Sequence, residues 1–344
     1  MTPDATTELA DRTVPYPSGR VSRSHPFGAR TAAAAQIASE DMTPAATVAE
    51  PLPIDPLAPA PRGEWTGHGV RVRRRIGPHR PHRGVNSVCN ERFCVQRDGH
   101  QLTVIHDLTS AEISDDLTLR LEELADAGLL RGRRDFELVF TGVVRSTVDG
   151  GAAAFLHFYR NSIARLESGL ASFAPVHERA AELVHGRSLI DLGSCFGFFP
   201  LRVARRDISV LATDLSAPTM RLLDLAATRL RRPVRTMCCD ATRVPLPDRH
   251  ADTVTALHLL EHLTSGDADA VLAEAIRLAR RRVVIAVPFE DEPRACYGHV
   301  QRFDVAVLNR LGERIGARYP GVGVRVDEHH GGWLIIDRRP SSVR

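Results

Sequence analysis

The sequence predicts an α/β fold, a mostly parallel sheet with an antiparallel final hairpin, preceded by a small α+β accessory domain. Three observations carry this. Short apolar runs alternate with helix-patterned stretches from residue 151 onward, the last two runs are joined through His329-His330-Gly331-Gly332, and residues 63–150 mix hairpin and helix signals. The expected organisation is therefore a tail over residues 1–62, an accessory domain over 63–150 and the main α/β domain over 151–344.

The tail is rich in Ala, Pro, Thr and Ser and contains the proline-dense run Pro51–Pro61. It offers too little apolar surface to offset the entropy of ordering, so disorder is expected. In the accessory domain, Val70–Ile76 alternates into an arginine run, and Arg92–Val95 and Leu102–His106 flank the hairpin dipeptide Asp98-Gly99. Ser114-Asp115-Asp116 caps a helix carrying Leu117, Leu121 and Leu124 and ending near Gly128. Phe136–Val144 reads as a strand closed by Asp149-Gly150-Gly151. Helix, turn, strand and glycine tip would suit a winged helix; a plain α+β accessory domain is preferred, because no basic recognition helix is visible.

Residues 152–184 read as one or two helices, with Phe155, Phe158 and Ile163 on one stripe and Leu170 and Phe173 beyond. Strands are expected at Ser188–Leu192, Ile208–Thr213, Val234–Cys238, Thr253–Leu257, Arg282–Val287, Val322–Val326 and Trp333–Ile336. Helices are expected at Pro218–Leu230 and Ala268–Ala279, and the run Arg280–Arg282 as a solvated helix end. Such alternation buries a parallel sheet on both faces. Its ligand crevice then lies at the carboxyl ends of the strands.

Composition narrows the partners. The 344 residues are 43% hydrophobic and 25% charged with a net charge of +3, which does not announce a nucleic-acid or membrane partner. All 45 basic residues are arginine. The six cysteines are scattered, which argues against a disulfide framework and for a reducing, cytoplasmic setting. Cys89 and Cys94 lie among His79, His82, His100 and His106, a weak zinc pattern lacking two tight ligand pairs. No metal site is predicted there, and no stretch is long and apolar enough to span a membrane.

Asp191-Leu192-Gly193-Ser194-Cys195-Phe196-Gly197 has the form D-x-G-x-x-x-G, placed between a strand and a helix. It lacks the closing glycine that lets a helix start beneath a pyrophosphate, so a nicotinamide dehydrogenase is disfavoured. The second strand runs into Asp214, where an acid can take both ribose hydroxyls. The third ends at Asp240-Ala241 and the fourth runs into His258, Glu261 and His262. Each is weak alone. Together, at successive strand ends, they point to a bound nucleoside.

These motifs resemble the class I S-adenosylmethionine-dependent methyltransferases, with their Rossmann-like sheet, over residues 150–344. The resemblance implies S-adenosyl-L-methionine as cofactor. Asp191, Gly193, Ser194 and Gly197 would then lie against methionine and ribose, Asp214 and Leu215 at the ribose end, Asp240 and Ala241 at adenine, and His258 in the segment lining the methyl donor. The sequence departs from the family at Ser194-Cys195-Phe196, where many members have small residues and a third glycine. Phe158–Leu166, Ser172–Glu178, Asp191–Phe199, Val287–Pro293 and Tyr297–Asp304 together resemble, more narrowly, the methyltransferases of mycofactocin biosynthesis. Those enzymes methylate a sugar hydroxyl on an oligoglucose tail, which implies a glycosylated, peptide-derived acceptor.

The sulfonium methyl is already electrophilic, so such an enzyme must align donor and acceptor and remove the alcohol proton. Candidates for that chemistry are His299, Glu290, Asp291 and His262, with His299 favoured as base. Glu261 and Glu292 lie in the same two segments, and paired acids there could instead hold a divalent cation that acidifies a sugar diol. Phe196, Phe198, Phe289 and Tyr297 would face the sulfonium or a sugar, or simply pack. Arg302 would meet an acidic acceptor or pair with Asp304. The competing readings are an RNA methyltransferase, with Arg71–Arg75, Arg80 and Arg83 as a basic face, and a donor-binding scaffold without turnover. The sequence is silent on oligomeric state.

Overall fold

The computed structural model describes residues 54–77 and 87–338. His79, His82, Arg80, Arg83 and residues 1–53 of the tail lie outside them. A first sheet is built from β1 (Glu64–Gly67), β2 (Val70–Arg74), β3 (Ser87–Cys89), β4 (Phe93–Asp98) and β5 (Gln101–His106), in the order β1-β2-β5-β4-β3, with period-two alternation along β2 and β5. Val70 and Val72 are buried while Arg71 and Arg73 are exposed, as the pleat requires. Asp98-Gly99 turns β4 into β5 as expected; β1 and β3, four and three residues long, are too short to leave a periodic signal.

The β3–β4 register sets Cys89 directly opposite Cys94, and the two form a disulfide. This corrects the expectation of unpaired cysteines. The Asn90 side chain closes the turn by accepting the N–H groups of Arg92 (3.0 Å) and Phe93 (2.7 Å), which folds a five-residue separation back on itself. His106 takes no part; it is fully buried, its Nδ1 accepting from Leu108 N–H (3.2 Å) and its Nε2 meeting Ser146 Oγ (2.8 Å).

Helix α1 (Leu117–Asp126) buries Leu117, Leu121 and Leu124, as their spacing predicts. The segment Phe136–Val144 is not a strand: it lies inside α2 (Gly132–Thr147). Phe136, Val139, Phe140 and Val143 recur at helical spacing, but α2 packs against β1 and β2 on one side and against α1 and α3 (Gly151–Glu167) on others, so nearly every residue is buried and the period is masked. With that strand gone, the winged-helix pattern has no wing. The region read as one or two helices is two, α3 and α4 (Ala174–Leu183).

The second sheet contains β6 (Ser188–Leu192), β7 (Ser209–Asp214), β8 (Val234–Cys238), β9 (Ala251–Leu257), β10 (Ala279–Val287), β11 (Val322–Glu328) and β12 (Gly332–Arg338). Their order is β11-β12-β10-β9-β6-β7-β8, and β12 alone runs antiparallel to both neighbours. Chain order therefore reverses between β6 and β9, which opens a crevice at their carboxyl ends. Arg280–Arg282 begins β10 rather than ending a helix: Arg280 and Arg281 pair with Asp252, and Arg282 with Asp337.

Helices α5 (Phe198–Val203) and α6 (Ala217–Leu230) cover one face of this sheet, and α7 (Ser265–Leu278) and α8 (Val305–Arg318) the other. Sequence reading left α8 unassigned. Asp304 caps it by accepting from Val307 N–H (2.8 Å), and Leu308, Leu311 and Ile315 supply the buried stripe. Successive strand residues feed opposite cores: Leu189 joins the cluster that continues through α1–α6 to the first sheet, and Ile190 joins the one beneath α7 and α8.

Candidate active site

The loop after β6 is shaped by two left-handed glycines. Gly193 has φ +67° and Gly197 φ +70°; a Cβ would lie 2.6 Å from Leu259 Cδ1 at the first and 2.4 Å from Leu223 Cδ2 at the second. Only glycine enters both places without strain. Between them Ser194 N–H donates to the Thr213 carbonyl (2.8 Å), Ser194 Oγ donates to the Asp191 carbonyl (3.0 Å), and Cys195 N–H donates to Asp214 Oδ2 (3.0 Å). The loop is thus tied to the end of β7. Gly197 then caps α5.

Asp191 is buried beneath this loop and accepts from Thr255 Oγ1 at 2.5 Å. Burial pushes its pKa up to about 6, against the Thr255 hydrogen bond, while the charge of Asp214 adds to the rise. Asp214 is half-buried at the strand end, its Oδ1 accepting from Ser216 N–H (2.8 Å). The next residue, Leu215, is 76% exposed, an apolar surface beside a carboxylate. Asp240, beyond β8, is exposed and accepts from Thr242 N–H and Oγ1, both at 2.8 Å, with Ala241 half-buried next to it. His258 ends β9 with φ +54°; its N–H donates to the Ala286 carbonyl (2.8 Å), and its ring meets Phe173 edge-on at 5.0 Å.

Across the crevice lies a second group of polar residues. Glu261 and His262 sit on a short 3₁₀ turn after β9, and His299 on the loop between β10 and α8. The backbone joins them: Val300 and Gln301 N–H both donate to the Glu261 carbonyl, at 2.8 and 3.2 Å. His299 Nδ1 meets Glu290 Oε2 at 2.8 Å and Oε1 at 3.0 Å, and its ring stands edge-on to His262 with centroids 4.8 Å apart. Burial lowers the His262 pKa, with the Glu261 charge acting against it. Asp291 and Glu292 are exposed.

That loop also rests on the first helices. Arg294 pairs with Glu122 and with Asp126 (2.9 Å), Tyr297 Oη donates to Glu122 Oε2 (2.9 Å), and the Tyr297 ring packs edge-on against Phe136 at 5.2 Å. Arg302 pairs with Asp304 (3.0 Å). Phe198 is buried against Phe158 and Tyr159, whereas Phe196 is half-buried among Phe140, Phe155, Phe158 and Tyr159.

The structure thus gathers Asp191, Gly193, Ser194, Gly197 and Asp214 into one bonded unit. It gathers His262, His299 and Glu290 into another. Sequence reading missed Thr255, which partners Asp191 across the sheet, and Phe173, which leaves the core to meet His258. It named Glu261 without foreseeing its complete burial. Alternation along β9 could have flagged Thr255; nothing local marks the other two.

A reversed-order parallel sheet with an antiparallel last strand, glycine loop and strand-end acids defines a Rossmann-like methyltransferase fold. Residues 190–287, from β6 through β10, match the methyltransferase-domain family. That span is a methyltransferase domain, and it makes the protein an enzyme of the S-adenosylmethionine-dependent methyltransferase class. No curated protein matches the chain. Similar solved structures include a SAM-dependent methyltransferase from Aquifex aeolicus, 16% identical with a TM-score of 0.39, covering 52% of this chain and 97% of that one. Another is the magnesium protoporphyrin IX methyltransferase of Synechocystis with bound SAM, 17% identical with a TM-score of 0.37, covering 55% and 82%. Among the described residues no helix is long and apolar enough to cross a membrane.

Proposed function

We propose that this methyltransferase acts on a sugar hydroxyl of a glycosylated metabolite, with the oligoglucose chain of mycofactocin as acceptor. The reading rests on the pairing of His299 with Glu290 across the crevice from the glycine loop. Glu290 holds Nδ1 and so orients Nε2, whose lone pair can accept a hydroxyl proton or ligate an ion. An alcohol needs one or the other; a thiolate or a carboxylate acceptor would not. The choice of mycofactocin rests on the resemblance of the segments around Phe158, Ser172, Val287 and Tyr297.

In this reading residues 151–344 hold the donor. Asp214 takes the ribose hydroxyls, Leu215 and Asp240-Ala241 border the adenine, Asp191, Gly193, Ser194 and Gly197 border the methionine and ribose, and His258 lies toward the methyl. Residues 63–150 shape the acceptor side through the contacts of Glu122 and Asp126 with Arg294. The acceptor oxygen attacks the methyl carbon in line with the departing sulfur. A C–O bond forms, the C–S pair stays on sulfur as S-adenosylhomocysteine, and the hydroxyl proton leaves at the His299 side.

The test is to incubate the protein with donor and with mycofactocin glycans, simpler glucosides or RNA, and to follow products by mass spectrometry. One added methylene on the glycan is expected. Transfer to RNA with none to any glycoside would overturn the acceptor assignment.

A further inference from the structure

We propose that Glu261, His262 and His299 form a binding site for a divalent transition-metal ion, one that holds and acidifies the acceptor hydroxyl. The inference rests on the sugar-hydroxyl reading for its role, though not for the binding itself. The three side chains offer ligand atoms that all lie within 4.8 Å of one another, close enough to converge on one ion.

The decisive observation is Glu261. Its side chain is completely buried, and among the described residues neither carboxylate oxygen has a hydrogen-bond partner. A buried carboxylate left this way is strongly unfavourable unless a cation or proton neutralises it. His258 Nδ1 comes within 3.3 Å of Oε1 but makes no hydrogen bond to it. Arg133, the nearby cation on α2, is paired with Glu137 at 2.6 Å. His262 adds a second such group, a buried Nδ1 with no hydrogen-bond partner among the described residues. One cation would neutralise the buried carboxylate and satisfy the imidazole nitrogen together.

His299 completes the set. Its side chain is only 8% exposed, and Glu290 takes Nδ1, which leaves Nε2 for an ion. A carboxylate behind a histidine in this way fixes the ring and raises its basicity as a ligand. The hydrogen bonds from Val300 and Gln301 to the Glu261 carbonyl hold both loops in register, so the site is built by the fold.

The donor set selects the ion. Two imidazoles and one carboxylate suit Zn²⁺, Mn²⁺, Fe²⁺ or Co²⁺, whereas Mg²⁺ and Ca²⁺ favour all-oxygen shells. Three protein ligands leave positions open for the vicinal hydroxyls of a sugar. An ion-bound hydroxyl releases its proton to water far more readily than a free one, and its oxygen then attacks the donor methyl while the C–S pair stays on sulfur.

The full-length protein, stripped with a chelator and dialysed, is titrated with Co²⁺ and followed by visible d–d absorption. Zn²⁺ and Mn²⁺ stoichiometry is measured by elemental analysis. One ion per chain is expected, with loss of the site in Glu261→Gln and His299→Ala, and affinity lowered roughly 10–100-fold in Glu290→Gln, since Glu290 only positions His299. Asp214→Ala, on the donor side, keeps the ion. Circular dichroism checks that each variant folds, and His299→Ala, on the loop between β10 and α8, stands in should Glu261→Gln not. Substoichiometric binding, or binding unchanged by both Glu261→Gln and His299→Ala, overturns the proposal. Glycoside methylation that survives chelation overturns the ion's role and leaves the sugar reading standing. Stoichiometric binding without glycoside methylation overturns the sugar reading and leaves the ion site standing.

Discussion

Asp214 Oδ2 accepts the backbone N–H of Cys195 at 3.0 Å, so the acid that ends β7 also holds the glycine loop that follows β6. One carboxylate therefore ties together the end of β7 and the glycine loop. Asp214→Ala should weaken S-adenosylmethionine binding by about 10–100-fold, the loss of one or two hydrogen bonds to a charged acceptor. Titration calorimetry checks this; donor affinity equal to wild type would show that Asp214 does not face the ribose.

Gly197→Ala tests the loop without touching a polar group. A Cβ at φ +70° costs about 1–2 kcal/mol in backbone strain, and its approach to Leu223 Cδ2 adds about 1–3 kcal/mol of overpacking. Thermal unfolding should shift down by several degrees. An unchanged midpoint would mean that α5 and α6 give way at no cost.

Arg294 carries the loop after β10 to α1 by its pairs with Glu122 and Asp126. Glu122→Gln should raise the KM for the acceptor several-fold and leave donor affinity untouched, because Glu122 holds the loop through Tyr297 and Arg294. Steady-state kinetics with each substrate varied separate the two effects. A change confined to the donor would contradict the assignment of this loop to the acceptor.

His106 makes stability depend on acid. Burial lowers its pKa from 6.5 to about 3, so between those values the unfolded chain binds a proton that the folded chain refuses. Stability therefore falls as pH drops below 6.5, with a slope approaching about 1.4 kcal/mol per pH unit from this group. His106→Gln keeps a hydrogen-bonding side chain for Ser146 and removes the proton. Denaturant unfolding of both proteins from pH 7 to pH 4.5 should show a shallower fall in the variant, since titrations common to both cancel; parallel curves would refute it.

Much of the glycine loop and its strand-end acids was legible because the signals are local. A short apolar run, Asp191, two glycines and an acid near residue 214 each act through the backbone within a few residues, and continuous burial of short apolar runs marks the central strands of the parallel core. Helix α2 was illegible for the opposite reason. Buried on most sides, Phe136–Val144 has no polar face, and an apolar run of that length fits strand and helix alike until its neighbours are known. Cys89 and Cys94 were misread because pairing depends on a strand register that two short strands do not announce.

The sequence by itself determined the α/β class, the parallel core, the hairpin at its end and the glycine loop, since each follows from spacing along the chain. Only the tertiary structure decided that Glu261 would be buried with no hydrogen-bond partner among the described residues, that His262 and His299, far apart in sequence, would stand edge-on, and that Glu122 would receive Arg294. Those relations depend on which loops cross at the sheet's carboxyl edge. Burial and long-range proximity are properties of packing, and a local pattern of residue types does not encode them.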